Sequence, residues 1–410
     1  SLYNKGKNKE SIIQSKIKEI QMTILASILF IISPILSMPV VLLGLFLEKK
    51  HKRYYCFLLS VMIGIICYYI VPNQGMDISR YYEYLDEIRY LPITEALKGI
   101  SSQTEIITNL FFYVISQLNN NSLVVFFSSL IYYNILFYII IDYCKIKDLT
   151  NKQINMIIIY AMITIWIIPN ILGIRYAIAM VVFLLAIYLD MVKQKKNIIY
   201  KLLYILPILI HSSTILFLIM RLILLISNRK TKILIIAIIV LISATPDFIF
   251  TLTQNLPGAN IVESVSKSVQ NYLIDGKETF ENINLLKIGL AIGFAFALYG
   301  IKEKVPKENK LYNYTVLMLV LSLAFCYSPT LCIRLIDFTN LLFILMLIEI
   351  GSIKDLLKAK NNIITFYFII MLLISLRTQI IYFKQPESYN NLIPDKIATN
   401  VFSIFNKEGE

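Results

Sequence analysis

Histidine is almost missing from this chain: only His51 and His211 occur in 410 residues. Five cysteines (Cys56, Cys67, Cys144, Cys326, Cys332) lie mostly inside apolar segments, without metal-ligand spacing. No metal cluster is expected from that set, and the cysteines read as packing residues. A Walker loop, a dinucleotide fingerprint and a Gly-x-Ser-x-Gly elbow are all lacking. No cofactor is expected. Repeats and low-complexity tracts are absent too, which excludes solenoid architectures. No small-residue cleavage site follows the first apolar run, so no signal peptide is expected.

What the chain has is apolar length. Its hydrophobic fraction is 57% and its mean hydropathy +0.69, and several runs reach the roughly 20 residues needed to cross a bilayer. The formal charge of +13 does not point to nucleic acid. The lysines sit in short loops between apolar runs, the pattern of cytoplasmic retention. The expected fold is all-α and polytopic, with about 10–12 transmembrane helices, some broken or re-entrant.

Residues 1–23 form a cytoplasmic or interfacial segment, 24–383 a helical membrane domain, and 384–410 a tail. Pro34 and Pro39 interrupt the first apolar run, Ile24–Leu47, and leave its topology open. Residues 72–105 carry six acids against two arginines and one lysine and read as an external loop, as does 251–282. Ile106–Leu118 is apolar but short, and the lysines that follow Leu123–Ile141 require it to be re-entrant or interfacial. Likewise Leu202–Ser227 lies between two lysine-rich loops. It must enter and return as two short arms meeting at His211-Ser-Ser213.

Arginine and lysine are sorted differently. Of eight arginines, Arg53 and Arg229 lie in basic loops, whereas Arg80, Arg89, Arg175, Arg221, Arg334 and Arg377 lie in external loops or within apolar runs. Charge retention uses either residue, so it does not explain the sorting. The guanidinium fork grips phosphate or carboxylate at two points. A guanidinium within a bilayer also needs an anionic partner. Arg175 follows the break Pro169–Gly173, and no acid near it in sequence serves it. Arg334 has Asp337 at i+3. Arg221 is expected to have a structural or headgroup role, and Arg377 divides evenly between site and span-end anchor.

Two further stretches could carry chemistry. In Gly75-Met-Asp77-Ile-Ser-Arg80-Tyr81-Tyr82-Glu-Tyr84, an acid precedes tyrosines whose faces could stack on sugar rings. Asp77 could also act as a general base, and the tyrosines could equally be an interfacial aromatic belt. His211, flanked by Ser212 and Ser213, could be a base, a phosphate partner or a hydrogen-bonded packing residue.

On these motifs the chain resembles the EpsG family, a branch of the Wzy-type polysaccharide (O-antigen or capsule repeat-unit) polymerases. The resemblance rests on Gly75-x-Asp77-x-x-x-Tyr81 with Tyr84, Ile174-Arg175-x-x-Ile178-Ala179, His211-x-Ser213 and Arg334-x-x-Asp337-Phe338. It spans roughly residues 40–350. Tyr176 follows the central arginine, where such proteins often carry glutamine. The resemblance implies a GT-C-like membrane glycosyltransferase, independent of metal. It would join undecaprenyl-diphosphate-linked oligosaccharides on the external face of a bacterial plasma (inner) membrane, facing the periplasm or cell exterior. Arg175 and Arg334 would hold the developing diphosphate, and Asp77 or His211 would activate the acceptor hydroxyl. Arg80, Tyr81, Tyr82, Tyr84, Arg89, Asp337 and Arg377 would bind substrate. Donor, acceptor, membrane lipids, a chain-length regulator and a flippase are the implied partners. A flippase for the same lipid-linked glycan and an O-antigen ligase are the competing functions.

Overall fold

The structure, a computed structural model, describes most of residues 17–351, apart from 71–76, 102–104, 168–172, 245–281, 326–328 and some single positions, and short pieces between 369 and 401. Every regular element among the described residues is a helix. Gly75, Pro169, Asn170, Cys326, nearly all of the loop 251–282, and most of Ile363–Phe383 and of both terminal segments lie outside them.

Three of these helices are long and apolar enough to cross a bilayer: Leu123–Ile146, Ile174–Val192 and Leu331–Glu349. At 24 residues, the first extends about 36 Å, against a hydrocarbon core of about 30 Å. Seven more apolar helices have 10–17 residues. In chain order we label Glu19–Ile32 α1, Pro34–Leu47 α2, Lys52–Tyr68 α3, Asp77–Arg89 α4, Ile93–Ser101 α5, Ile106–Ser116 α6, Leu123–Ile146 α7 and Asn151–Thr164 α8. The helix Ile174–Ile187 is α9 and continues as a π-turn, Tyr188–Val192. Then come Ile198–Leu202 as α10, Leu206–Ile210 as α11, Ile215–Ile223 as α12, Arg229–Ala244 as α13, Asn282–Ile301 as α14, Lys310–Ala324 as α15 and Pro329–Glu349 as α16.

The first apolar run is broken as the prolines suggest. Ser33 is extended (φ −161°, ψ 116°) and Pro34 opens α2, where a missing N–H costs nothing. Pro39 is accommodated inside α2. At the other end of α2, buried Lys52 donates to the Leu45 carbonyl and, at 2.5 Å, to Asn155. Asn151 and Asn155 both donate to the Phe46 carbonyl, at 2.7 and 2.8 Å. These donors satisfy carbonyls that a helix end leaves open. Helices α3 and α7 pack closely where Gly64 faces Phe126; a Cβ there would lie 3.0 Å from the ring and 3.2 Å from the Phe126 carbonyl oxygen. Small residues permit such close approach between apolar helices.

Charge divides the molecule into two ends. At one, Lys147 pairs with Glu349 at 2.8 Å, Lys193 pairs with Asp142, and the Tyr188 hydroxyl donates to Asp142 at 2.6 Å. Helices α7, α9 and α16 all finish here, so their starts share the opposite end. Helix α6 has 11 residues. It starts beside Arg175 and finishes beside Arg89 and the start of α7. Both of its ends thus lie opposite the lysines, as a re-entrant or interfacial helix requires.

The segment around His211 is a hairpin. Below it, the Tyr204 hydroxyl (2.8 Å) and the Arg221 Nε and Nη2 (2.9 and 2.7 Å) all donate to one Asp190 oxygen. Its two arms, α11 and α12, meet at His211 and the short 3₁₀ turn Ser212–Thr214. An aromatic column descends from this apex: Tyr176 stands edge-on to His211 at 5.6 Å, and Phe217 stacks on Phe338 at 4.1 Å.

Gly44 of α2 lies beneath the Tyr55 ring, whose hydroxyl bonds to Glu48 at 3.1 Å and Thr23 at 3.2 Å. A Cβ at Gly44 would collide with that ring. Gly44→Ala is expected to destabilise the protein by about 1–3 kcal/mol. Thermal melting in detergent checks this, and adding Tyr55→Leu should restore part of the loss.

Candidate active site

Arg175 stands in the first turn of α9, at the end remote from the lysine cluster. Its Nη1 meets the Glu105 Oε2 at 2.6 Å, and its Nε donates to the Tyr81 hydroxyl at 3.1 Å. The guanidinium also lies 5.2 Å from the centre of the Tyr81 ring. No acid near Arg175 in sequence serves it; its partner, Glu105, comes from 70 positions earlier. A charged pair held at this distance offsets desolvation of both members.

Glu105 directly precedes α6 and has a second neighbour, since its Oε1 lies 3.5 Å from the His211 Nδ1. That nitrogen also lies 3.3 Å from the Ser213 backbone N–H and 3.2 Å from the Ser213 hydroxyl. Because a backbone N–H can only donate, Nδ1 is the acceptor and the ring hydrogen belongs on Nε2. Thr108 fixes the hairpin to α6 by donating to the Ile210 carbonyl at 2.7 Å. His211 is buried, so the contact is set by packing and not by a swinging side chain.

Arg334 reaches the same place from α16. Its guanidinium lies 5.0 Å from the centre of the Tyr176 ring, and the Tyr176 hydroxyl donates to the Arg334 carbonyl at 2.6 Å. Tyr176 thus links α9, α16 and His211, a role that its position beside Arg175 did not announce. Arg175 and His211 thus meet at Glu105, and Arg334 and His211 meet at the Tyr176 ring. Asp337 lies one turn further along α16.

Tyr81 is buried on α4, in one stripe with Ile78, Leu85 and Ile88, the spacing of a helix that packs by one face. Its ring tilts against Phe112 of α6 at 5.2 Å, and Tyr84 meets the same ring at 6.2 Å. Burial raises the Tyr81 hydroxyl above its ordinary pKa, while Arg175 pulls it down. It accepts from Arg175 with a lone pair while its own hydrogen stays in place. Tyr81 also feels Asp77 and Glu105 through space.

The other candidates stand apart. Asp77 is paired with its neighbour Arg80, whose side chain is exposed. Arg89 pairs with Asp86 at 3.0 Å and also donates to the Ser116 carbonyl and to Asn121. It ties α4 to the α6–α7 turn. The Tyr82 carbonyl accepts from Asn121 at 3.4 Å, on the α7 side of α4. Arg377 is exposed, and none of these contacts involves it. Arg221 belongs to the Asp190 network, in line with its expected structural role. Glu105 went unnoticed among the six acids of its loop. One signal could have found it: it is the last charged residue before an apolar run too short to cross.

The site is a half-exposed guanidinium with a second one nearby, a buried histidine and a carboxylate between them, walled by tyrosines. It can hold a multiply charged anion and move one proton. Arg221 and Asp190 are expected to matter for stability instead. Asp190→Ala should cost about 3 kcal/mol, since it strands a mostly buried guanidinium. The pair Asp190→Leu with Arg221→Leu should cost less, by thermal melting of both variants.

A search of curated proteins and a search of solved structures each return no match. A family profile does match, over residues 72–397. That range holds every residue of the site, and it covers most of the chain: this protein belongs to the EpsG family, a family of membrane polysaccharide polymerases.

Proposed function

We propose that the chain polymerises undecaprenyl-diphosphate-linked oligosaccharide repeat units on the external face of a bacterial plasma membrane, releasing undecaprenyl diphosphate. The observation that carries this reading is the convergence of Arg175 and His211 on Glu105, and of Arg334 and His211 on the Tyr176 ring, at the end opposite the lysines. Lysines favour the cytoplasmic side, which supports an external site. We further propose that the short helices combine with the long ones into a GT-C-like arrangement of about 10–12 spans, since paired short helices can jointly cover the bilayer.

Arg175 and Arg334 neutralise the leaving diphosphate, the charge that grows most in the transition state. Fixed donors aimed at developing charge commonly contribute a factor of about 10²–10³ in rate. The two guanidinia supply positive charge directly, so the reading assigns no step to a metal. Tyr81 and Tyr84 present aromatic walls to sugar rings. At the rim Asp77 offers hydrogen-bond acceptors and Arg80 donors.

The test is chain growth by purified protein with a lipid-diphosphate-linked repeat unit, followed on a gel. Wild type should give a ladder. Arg175→Ala and Arg334→Ala should each reduce it about a hundredfold or more, and Arg175→Lys should rescue poorly because lysine lacks the planar fork. Movement of intact lipid across vesicles without a ladder would put a flippase in its place. A single transfer to a foreign acceptor would indicate a ligase.

A further inference from the structure

The Arg175–Glu105 pair poses a problem for that reading, on which the following rests. The guanidinium meant for a diphosphate is already held by a carboxylate at 2.6 Å, the same kind of group a phosphate resembles. The pair is not symmetric. The Arg175 side chain is 36% exposed and that of Glu105 only 13%, so an anion arriving from water meets the arginine first. Glu105 also has little else to hold it. Its other charged-group neighbour is His211, with Nδ1 at 3.5 Å, and that atom already accepts from Ser213. Two acceptors facing each other do not bind.

We infer that Glu105 is the general base, and that it is held inactive by Arg175 until a donor diphosphate takes its place on the guanidinium. In the resting protein the carboxylate substitutes for the substrate and keeps Arg175 preorganised. When the donor diphosphate displaces it, Glu105 is released from Arg175 while remaining beside His211, free to meet the acceptor hydroxyl. It then takes the proton from the acceptor hydroxyl. The hydroxyl oxygen forms the new bond to the anomeric carbon. The bond between that carbon and the diphosphate oxygen breaks, and undecaprenyl diphosphate departs with the electron pair. Loss of the proton to water restores the carboxylate, which competes for Arg175 and expels the product. His211 lines the space beside Glu105 at the hairpin apex. The arrangement makes the base available only when a donor is seated.

The test uses full-length protein in nanodiscs, with farnesyl diphosphate as the binding probe and the lipid-linked repeat unit for chain growth. Glu105→Gln removes the competing charge. It should bind farnesyl diphosphate about tenfold more tightly, the equivalent of one charge-assisted hydrogen bond, while chain growth falls about a hundredfold or more. Glu105→Asp withdraws the carboxylate from Arg175 without removing it, so binding should also tighten and chain growth fall only in part. A purely structural Glu105 would lose binding and chain growth together in both variants, and that result, or unchanged binding, overturns the inference even if wild type polymerises. If both variants bind more tightly but wild type itself grows no chain, the polymerase reading fails and the base role with it. Displacement of Glu105 would then still stand.

Discussion

The fold has to place a guanidinium at a membrane edge and keep it charged. Everything around Arg175 meets that condition. Glu105 supplies the counter-charge from the start of α6, and Tyr81 supplies an acceptor and a ring from α4. Neither helix is long enough to cross a bilayer, and neither needs to be. Their task is to bring a carboxylate and a tyrosine to the level where α9 begins. Without them the arginine would require water or lipid phosphate as its partner, and its position would vary with both.

The opposite end obeys a different rule. Lys147, Lys193 and Lys52 are each held, by Glu349, by Asp142, and by carbonyl and amide oxygens respectively. Those partners lock the end of α7 to those of α9 and α16, and the end of α2 to α3 and α8. Lysine serves there as a point charge that satisfies open helix ends, whereas arginine at the far end serves as a fork with directional donors. The molecule thus uses its two basic residues for two different kinds of work, separated by the length of the spans.

Much of the architecture could be read from the chain because its signals are local. Pro34 ends one helix and begins another, the brevity of Ile106–Leu118 forbids a crossing, and the run around His211 has to turn between two lysine loops. The site was only half legible for the opposite reason. Arg175, Arg334 and His211 announce themselves as costly residues in apolar surroundings. Glu105 does not, because an acid in a polar segment is ordinary until its partner 70 residues away is known. The sorting of arginine was also less selective than it looked: Arg80, Arg89 and Arg221 each spend their charge on an acid of their own. Only the folded arrangement shows which partner each arginine meets.

The Asp190 clamp has a consequence for how this protein can vary. Both arms of the His211 hairpin are fastened to the same carboxylate oxygen, through Tyr204 on one side and Arg221 on the other. Thr108 fixes it again at the Ile210 carbonyl, just before the apex. The hairpin is therefore a measured length of chain, like a rung cut to fit. One extra residue in either arm would shift the imidazole relative to Glu105 or break the clamp. A surface loop can lengthen without touching the site, but the stretch from Tyr204 to Arg221 cannot, because both of its ends are tied to one oxygen.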